Sequence, residues 1–231
     1  TPAVPGTTDQ VDVQVTVKER NTGTLNFGLG YSQAEKLTVQ ASVSQSNILG
    51  TGNMLAFQVN NGAVNKVYSF TYVNPYWTPD GVSRGFDLFR RDVDTGAITS
   101  VAAYRTTSTG AGVRFGIPVT EYDAINLGFT GERTVLKLDP LTPPARYIAF
   151  VNDFGETTDT IRVNASFARD TRDSLTWPTR GWLNEIGVEV GTPAGDLKYW
   201  RATYQSQLFY TPQTRRNFLT FTLNGEFGNA T

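Results

Sequence analysis

The sequence predicts an all-β chain that forms part of an antiparallel transmembrane β-barrel, with about eleven strands after Gly23. Apolar and polar residues alternate with a period of two along nearly the whole chain. The apolar face is continuous from strand to strand. The opposite face is built from Gly, Asn, Ser and Thr with isolated charges in mid-strand, which suits a water-filled lumen.

Composition narrows the classes of function. Only 18% of the 231 residues are charged and 12% are aromatic, while glycine reaches 22 residues, a β-rich profile. The chain has no Cys and no His, so thiol-ligated metals, disulfide frameworks and the commonest general base are all missing. The expectation is a protein that is not an enzyme and uses no cofactor or metal. A net charge of -1 without a basic cluster argues against nucleic acid as a partner. No run of eighteen apolar residues exists, which excludes a helical span but not a span by strands. The chain opens without Met on "TPAVPGTTDQ" and reads as an internal or mature segment.

The strands follow in order. Val11, Val13, Val15 and Val17 alternate with polar residues as in a half-buried soluble strand. From Gly23 the chemistry changes: Leu25, Phe27, Leu29 and Tyr31 share one face, and Thr24, Asn26, Gly28 and Gly30 share the other, which carries no charge. Similar segments run through Leu37 to Ser44, Leu55 to Asn60, Tyr68 to Tyr72, and less regularly through Phe86 to Asp94. They continue through Ala111 to Ile117, Ile125 to Thr130, Ile161 to Phe167, Ile186 to Val190, Trp200 to Leu208 and Leu219 to Asn224. No helix is expected anywhere.

Connections come in two kinds. "NILGTGN", "NPYWTPDG", "VTEYDA", "WPTRG" and "TPQTRRN" read as short turns, alternating with longer links at Thr95 to Thr107 and Lys137 to Asp159. Outer-membrane barrels have short periplasmic turns and longer extracellular loops. Tyr76, Trp77, Tyr122, Trp177, Trp182 and Tyr210 sit beside the short turns, as an interfacial aromatic ring would. A soluble β-sandwich also alternates, but mid-strand Arg114, Arg162, Glu189 and Arg201 among small residues favour a lumen over a crowded solvent face.

Five segments carry a resemblance: "VTVKERNTGTLNFGLGYS", "QSNILGTGN", "VNPYWTPDGVSRGFDLF", "RYIAFVNDFG" and "RDSLTWPTRGW". In this order they resemble the BamA-type outer-membrane assembly factors, whose chains carry periplasmic POTRA domains and then a sixteen-stranded barrel. The resemblance implies that residues 1–21 end the last POTRA domain and that residues 22–231 form the N-terminal part of the barrel. The family's "VRGF" loop tip and its final strand are missing. "SRGF" at Ser83 to Phe86 follows a turn and does not match the tip.

By the same resemblance the chain lies in the bacterial outer membrane, with its N-terminal segment periplasmic. It would act as an insertase on unfolded barrel clients, in contact with outer-membrane lipids and accessory lipoproteins. Clients would pair at a lateral seam formed by Thr24, Leu25, Asn26, Phe27, Gly28, Leu29, Gly30 and Tyr31. Glycine weakens a strand, so Gly28 and Gly30 suit a seam that opens. Proline at Asn26 or Gly28 is then expected to remove a donor from the open edge. Two-partner secretion pores and passive transport barrels share this kind of architecture and are the alternative; a soluble binding sandwich is a second.

Other signals have local readings. Asp170 and Asp173 resemble an acid/base pair but precede a proline turn, and turn chemistry accounts for them. "NAS" at Asn164 lies mid-strand and "NAT" at Asn229 lies at the end. "GLG" at Gly28 to Gly30 lacks the third glycine and the helix of a dinucleotide site.

The two faces should differ in their tolerance of charge. Lys or Arg at Phe57, Phe129 or Val163 is expected to cost about 2–4 kcal/mol at the bilayer midplane, and far less at Gln58, Thr130 or Asn164. Heat-modifiable gel mobility of the folded barrel measures the difference.

Overall fold

A computed structural model describes residue 16 and residues 21–97, 103–139, 143–211 and 219–230. The expected soluble strand at Val11 to Val17 and the POTRA-type segment lie outside the described residues, apart from Thr16 and Asn21. Eleven strands follow: β1 (Gly23–Ser32), β2 (Lys36–Gln45), β3 (Met54–Asn61), β4 (Asn65–Asn74), β5 (Ser83–Asp94) and β6 (Tyr104–Pro118) form the first six. Then come β7 (Asp123–Leu138), β8 (Thr157–Asp170), β9 (Arg180–Gly191), β10 (Tyr199–Tyr210) and β11 (Leu219–Ala230). They make one sheet in sequence order, every neighbouring pair antiparallel.

The described residues form no ordinary core. Among the described residues only Val64 and Leu136 are buried apolar side chains, while Leu25, Phe27, Phe57, Phe129, Ile161, Val188 and Phe221 are all exposed. A sandwich of this length would hide them between two layers. A single sheet that leaves its apolar face open is stable where that face meets lipid, so the sandwich alternative falls.

Strand tilt is written into the pairing register. Phe27, Ala41, Val59 and Tyr68 form one line of partners on the outer face of β1–β4. The same line continues into Arg90, Thr109, Arg133 and Asp159 on β5–β8. A lower line begins with Asp123 and Arg169 on β7 and β8 and ends with Leu223 on β11. Lines perpendicular to tilted strands climb across a flat apolar band, and these two enter or leave it as a barrel's shear requires.

Ion pairs respect the same boundary. On the outer face, Arg90–Asp92, Arg105–Asp94 and Arg133–Asp159 lie at the upper ends of their strands, and Arg169–Asp123 lies at the lower end. On the lumen face, Arg114–Asp87 (2.6 Å) and Arg162–Glu132 (2.7 Å) sit in mid-sheet, and Arg201–Glu189 (3.1 Å) lies nearer the upper ends of β10 and β9. Water must reach that face, because unscreened charges at bilayer depth would be costly.

Two expectations about connections are corrected. The β7–β8 link contains a helix, α1 (Ala145–Phe154), where none was expected. Pro144 presets its entry, Gly155 at φ 83° ends it, and the Phe150 and Phe154 rings pack tilted to each other one turn apart at 5.1 Å. Tyr147, Ile148, Val151 and Phe154 already carry the 3–4 spacing that announces it. Tyr147 meets Tyr104 of the lumen face at 4.7 Å, so the helix leans inward over the rim.

Loop lengths do not divide cleanly by end. The β1–β2 and β3–β4 turns, on the end expected to be long, have three residues each (33–35 and 62–64), whereas the β7–β8 link has eighteen (139–156).

Glycines on the lumen face fall into two groups. A Cβ at Gly110 would come within 2.5 Å of the Phe89 ring and 2.8 Å of the Gly131 carbonyl, while one at Gly30 would meet nothing within 4 Å. Gly110→Ala is therefore expected to destabilise the barrel by about 1–3 kcal/mol. Gly30→Ala should be neutral or stabilising by up to about 1 kcal/mol, since it removes unfolded-chain freedom. Thermal loss of the compact gel form compares them.

Candidate functional site

The free edge of β1 is the feature around which a site can be built. β1 pairs with β2 over its full length, Gly23 opposite Gln45 through Ser32 opposite Lys36. Its other side has no partner among the described residues. The Ser46 N–H donates to the Thr22 carbonyl at 3.0 Å, which makes that opposed pair a hydrogen-bonded one. Such pairs alternate along an antiparallel ladder. Thr24, Asn26, Gly28 and Gly30 therefore direct their backbone groups at β2, and Leu25, Phe27, Leu29 and Tyr31 direct theirs at the open side.

This register corrects the expectation for proline. The N–H groups of Asn26 and Gly28 belong to the internal ladder, so proline there breaks β1 from β2. The edge donors belong to the residues whose side chains face lipid. Leu25, Phe27, Leu29 and Tyr31 are each at least 66% exposed, so apolar surface and backbone groups without a partner among the described residues coincide in the same four positions.

Side chains on the lumen face of β1 hold little. Asn26 Nδ2 donates to Ser42 Oγ at 3.3 Å, and Gly28 and Gly30 leave open wall. At the lower end Gln45 Nε2 donates to Thr22 Oγ1 at 2.7 Å. Neither glycine is demanded by a neighbour: a Cβ at Gly28 would lie 3.9 Å from Gln40 Cβ, an ordinary contact.

The six expected interfacial aromatics all fall at the end of the sheet where β1 begins, and all are exposed: Tyr76, Trp77, Tyr122, Trp177, Trp182 and Tyr210. Trp77 lies 5.5 Å from Phe115, and the Arg84 guanidinium sits 4.8 Å over its ring. Sequence reading missed a second set at the opposite end, the exposed Tyr31, Tyr68 and Trp200. Their signal was available: each is the apolar-face aromatic nearest the upper turn on its strand.

Asp170 and Asp173 serve separate local networks. Asp170 holds Arg172 through two bonds of 2.8 and 2.6 Å. Asp173 accepts from the Thr179 hydroxyl, from Thr179 N–H at 2.8 Å and from Arg180 N–H at 3.2 Å, closing the loop that carries Trp177. Those bonds lower its pKa from 3.8 to about 2. No group of three or more potential metal ligands occurs among the described residues.

A single antiparallel sheet with an apolar outer band, a charged lumen and aromatics at both rims is an outer-membrane β-barrel, present in part. Residues 47–231 match the Omp85 superfamily domain, and the chain belongs to that superfamily. Over 99% of its length it is 35% identical to the outer membrane protein assembly factor BamA of Neisseria meningitidis serogroup B, covering 30% of that protein. It is 29% identical over 87% of its length to the BamA of Nitratidesulfovibrio vulgaris, covering 24% of it. The crystal structure of BamA from Haemophilus ducreyi lacking POTRA domains 1–3 superposes with a TM-score of 0.78 at 26% identity, over the whole of this chain and 45% of that one. The chain thus spans less than half the length of these relatives. It lies in the bacterial outer membrane, and the end at which β1 begins is the periplasmic one.

Asp173 gives the periplasmic rim a pH signature. Its carboxyl is more acidic folded than unfolded, so its contribution is complete above pH 3.8 and is lost as pH falls from there through about 2. Amide exchange at Thr179 and Arg180, corrected for intrinsic rate, should quicken over that window in the wild type. In Asp173→Asn it should be fast already at neutral pH.

Proposed function

We propose that this chain is the client-pairing part of an insertase that folds β-barrel proteins into the outer membrane, without a covalent step or a cofactor. One observation supports the reading most: β1 turns the backbone groups of Leu25, Phe27, Leu29 and Tyr31 away from β2, along an edge whose side chains meet lipid. An unsatisfied N–H or C=O in hydrocarbon costs several kcal/mol. A client strand that pairs there removes the cost for both partners. Strand addition of this kind draws its affinity from main-chain hydrogen bonds, so clients of many sequences fit the same edge.

The similarity to BamA proteins over the whole chain supports the same role. Barrel clients would approach β1 from within the bilayer, and the lipoproteins of an assembly complex would meet parts of the protein beyond these strands. Residues 1–21 would end the POTRA domain that delivers clients to the periplasmic rim.

Proline distinguishes edge from ladder. In the full-length protein Phe27→Pro removes one edge donor, leaves the β1–β2 bonds in place and is expected to lower client insertion into liposomes about tenfold or more while the barrel folds. Asn26→Pro should instead detach β1 and weaken the folded form. Insertion at the unmodified rate by a folded Phe27→Pro barrel would reject edge pairing.

A further inference from the structure

The β1–β2 hairpin is tied to the next hairpin at its extracellular tip by one residue, through its carboxylate and its carbonyl. Glu35 ends the three-residue turn, and its own N–H donates to Ser32 Oγ at 2.9 Å. Its carboxylate reaches sideways to the next turn, between β3 and β4. There Oε2 accepts from Val64 N–H at 3.0 Å and Asn65 N–H at 3.1 Å, and Oε1 accepts from Asn65 Nδ2. The Glu35 carbonyl accepts from Ala63 N–H at 2.9 Å.

The rest of the tip is arranged around this contact. Strand pairing between β2 and β3 stops at Val39 and Asn61, leaving Lys36, Leu37 and Thr38 beyond the ladder. Glu35 rejoins the hairpins above that gap. Gly62 leaves the seat free, since a Cβ there would overlap Oε2. Behind the seat, Val64 is buried, and its carbonyl accepts from Asp94 N–H at 2.8 Å, which carries the connection to β5. Desolvation raises the Glu35 pKa, but the bonds from Asn65 and Val64 outweigh it and hold the group below its ordinary value, so it is a carboxylate at neutral pH.

Below the tip, the middle of β1 has little to hold it except the backbone ladder to β2 and the bond from Asn26 to Ser42. We propose that Glu35 is a positioning residue for the client-pairing edge: its carboxylate pins the extracellular tip of the first hairpin to the second, so that the hairpin moves about that tip when its edge takes a new partner. The inference rests on the proposed function of that edge. A pinned tip keeps the register of β1 fixed at one end while the periplasmic end yields. Without the pin the whole edge wanders, and an incoming strand finds no constant register to pair with.

These 231 residues contain no cysteine, so with any thiol elsewhere in the full-length protein replaced by serine a reversible test is open. In the full-length protein the double substitution Glu35→Cys and Ala63→Cys removes the carboxylate when reduced and replaces the pin by a covalent bond when oxidised. The reduced form should still migrate as a folded barrel. It should show exchange at the Val64 and Asn65 amides about tenfold faster, from loss of bonds to a charged acceptor, and client insertion into liposomes reduced several-fold. Oxidation should restore insertion. Gly62→Ala, which obstructs the seat with Glu35 intact, should reproduce the reduced form.

Insertion equal to wild type in the reduced form, with the two amides exchanging faster, overturns the inference. So does a deficit that the disulfide fails to repair, since the carboxylate would then act other than as a pin. Phe27→Pro in parallel separates the two readings. If it inserts clients normally, edge pairing itself is wrong; if it blocks insertion while the reduced cysteine pair does not, only the role of Glu35 is wrong.

Discussion

Backbone hydrogen bonding in a medium without water is the constraint on which this structure depends. Hydrocarbon cannot satisfy an N–H or a C=O, so each strand that crosses must give both rows of its backbone groups to neighbours. Sequential antiparallel order meets that demand with the shortest connections, as in the three-residue turns after β1 and β3. The ladder runs unbroken from β1 to β11 because any interior gap would leave groups unpaired in lipid. In the proposed function, β1 turns the same rule from a source of stability into a source of reactivity. An edge that a soluble sheet would shield with charge or proline carries Leu25, Phe27, Leu29 and Tyr31 instead.

The two faces of the sheet answer to two solvents, and side-chain chemistry sorts accordingly. Outer-face arginines pair with aspartates at strand ends, where headgroups and water can screen them. Arg114 and Arg162 on the lumen face stand in mid-sheet and reach across strands to carboxylates. Arg114 shows how glycine serves this: its Cγ and Nε occupy the space a Cβ at Gly85 would need, on the way to Asp87. Gly110 likewise makes room for the Phe89 ring. Gly28 and Gly30 have no such neighbours. Where lumen glycines elsewhere admit large partners, those of β1 leave a thin wall beside the free edge.

Much of the architecture was legible because the physics that produces it is local. Period-two alternation follows from the pleat, so Leu25 to Tyr31 or Ile161 to Phe167 announce both a strand and its faces. Composition pointed the same way, since many small polar residues with few charges suit a lumen and not a soluble surface. The helix at Ala145–Phe154 was overlooked, although its 3–4 spacing is plain, because a uniform pattern of strands leaves no expectation of another element in a loop.

The sequence by itself determined the strands, their two faces and the resemblance to a barrel family, because each depends on neighbours along the chain. Tertiary structure alone decided the pairing register. The bond from Ser46 to Thr22 makes Phe27 an edge donor and Asn26 a ladder donor, a distinction of one residue that alternation cannot see, since it labels side chains and not the direction of N–H groups. Glu35 is the same case at the tip. In sequence it is one charged residue in a polar turn; its meaning comes from Val64 and Asn65, some thirty positions away, which only the folded sheet brings to its carboxylate.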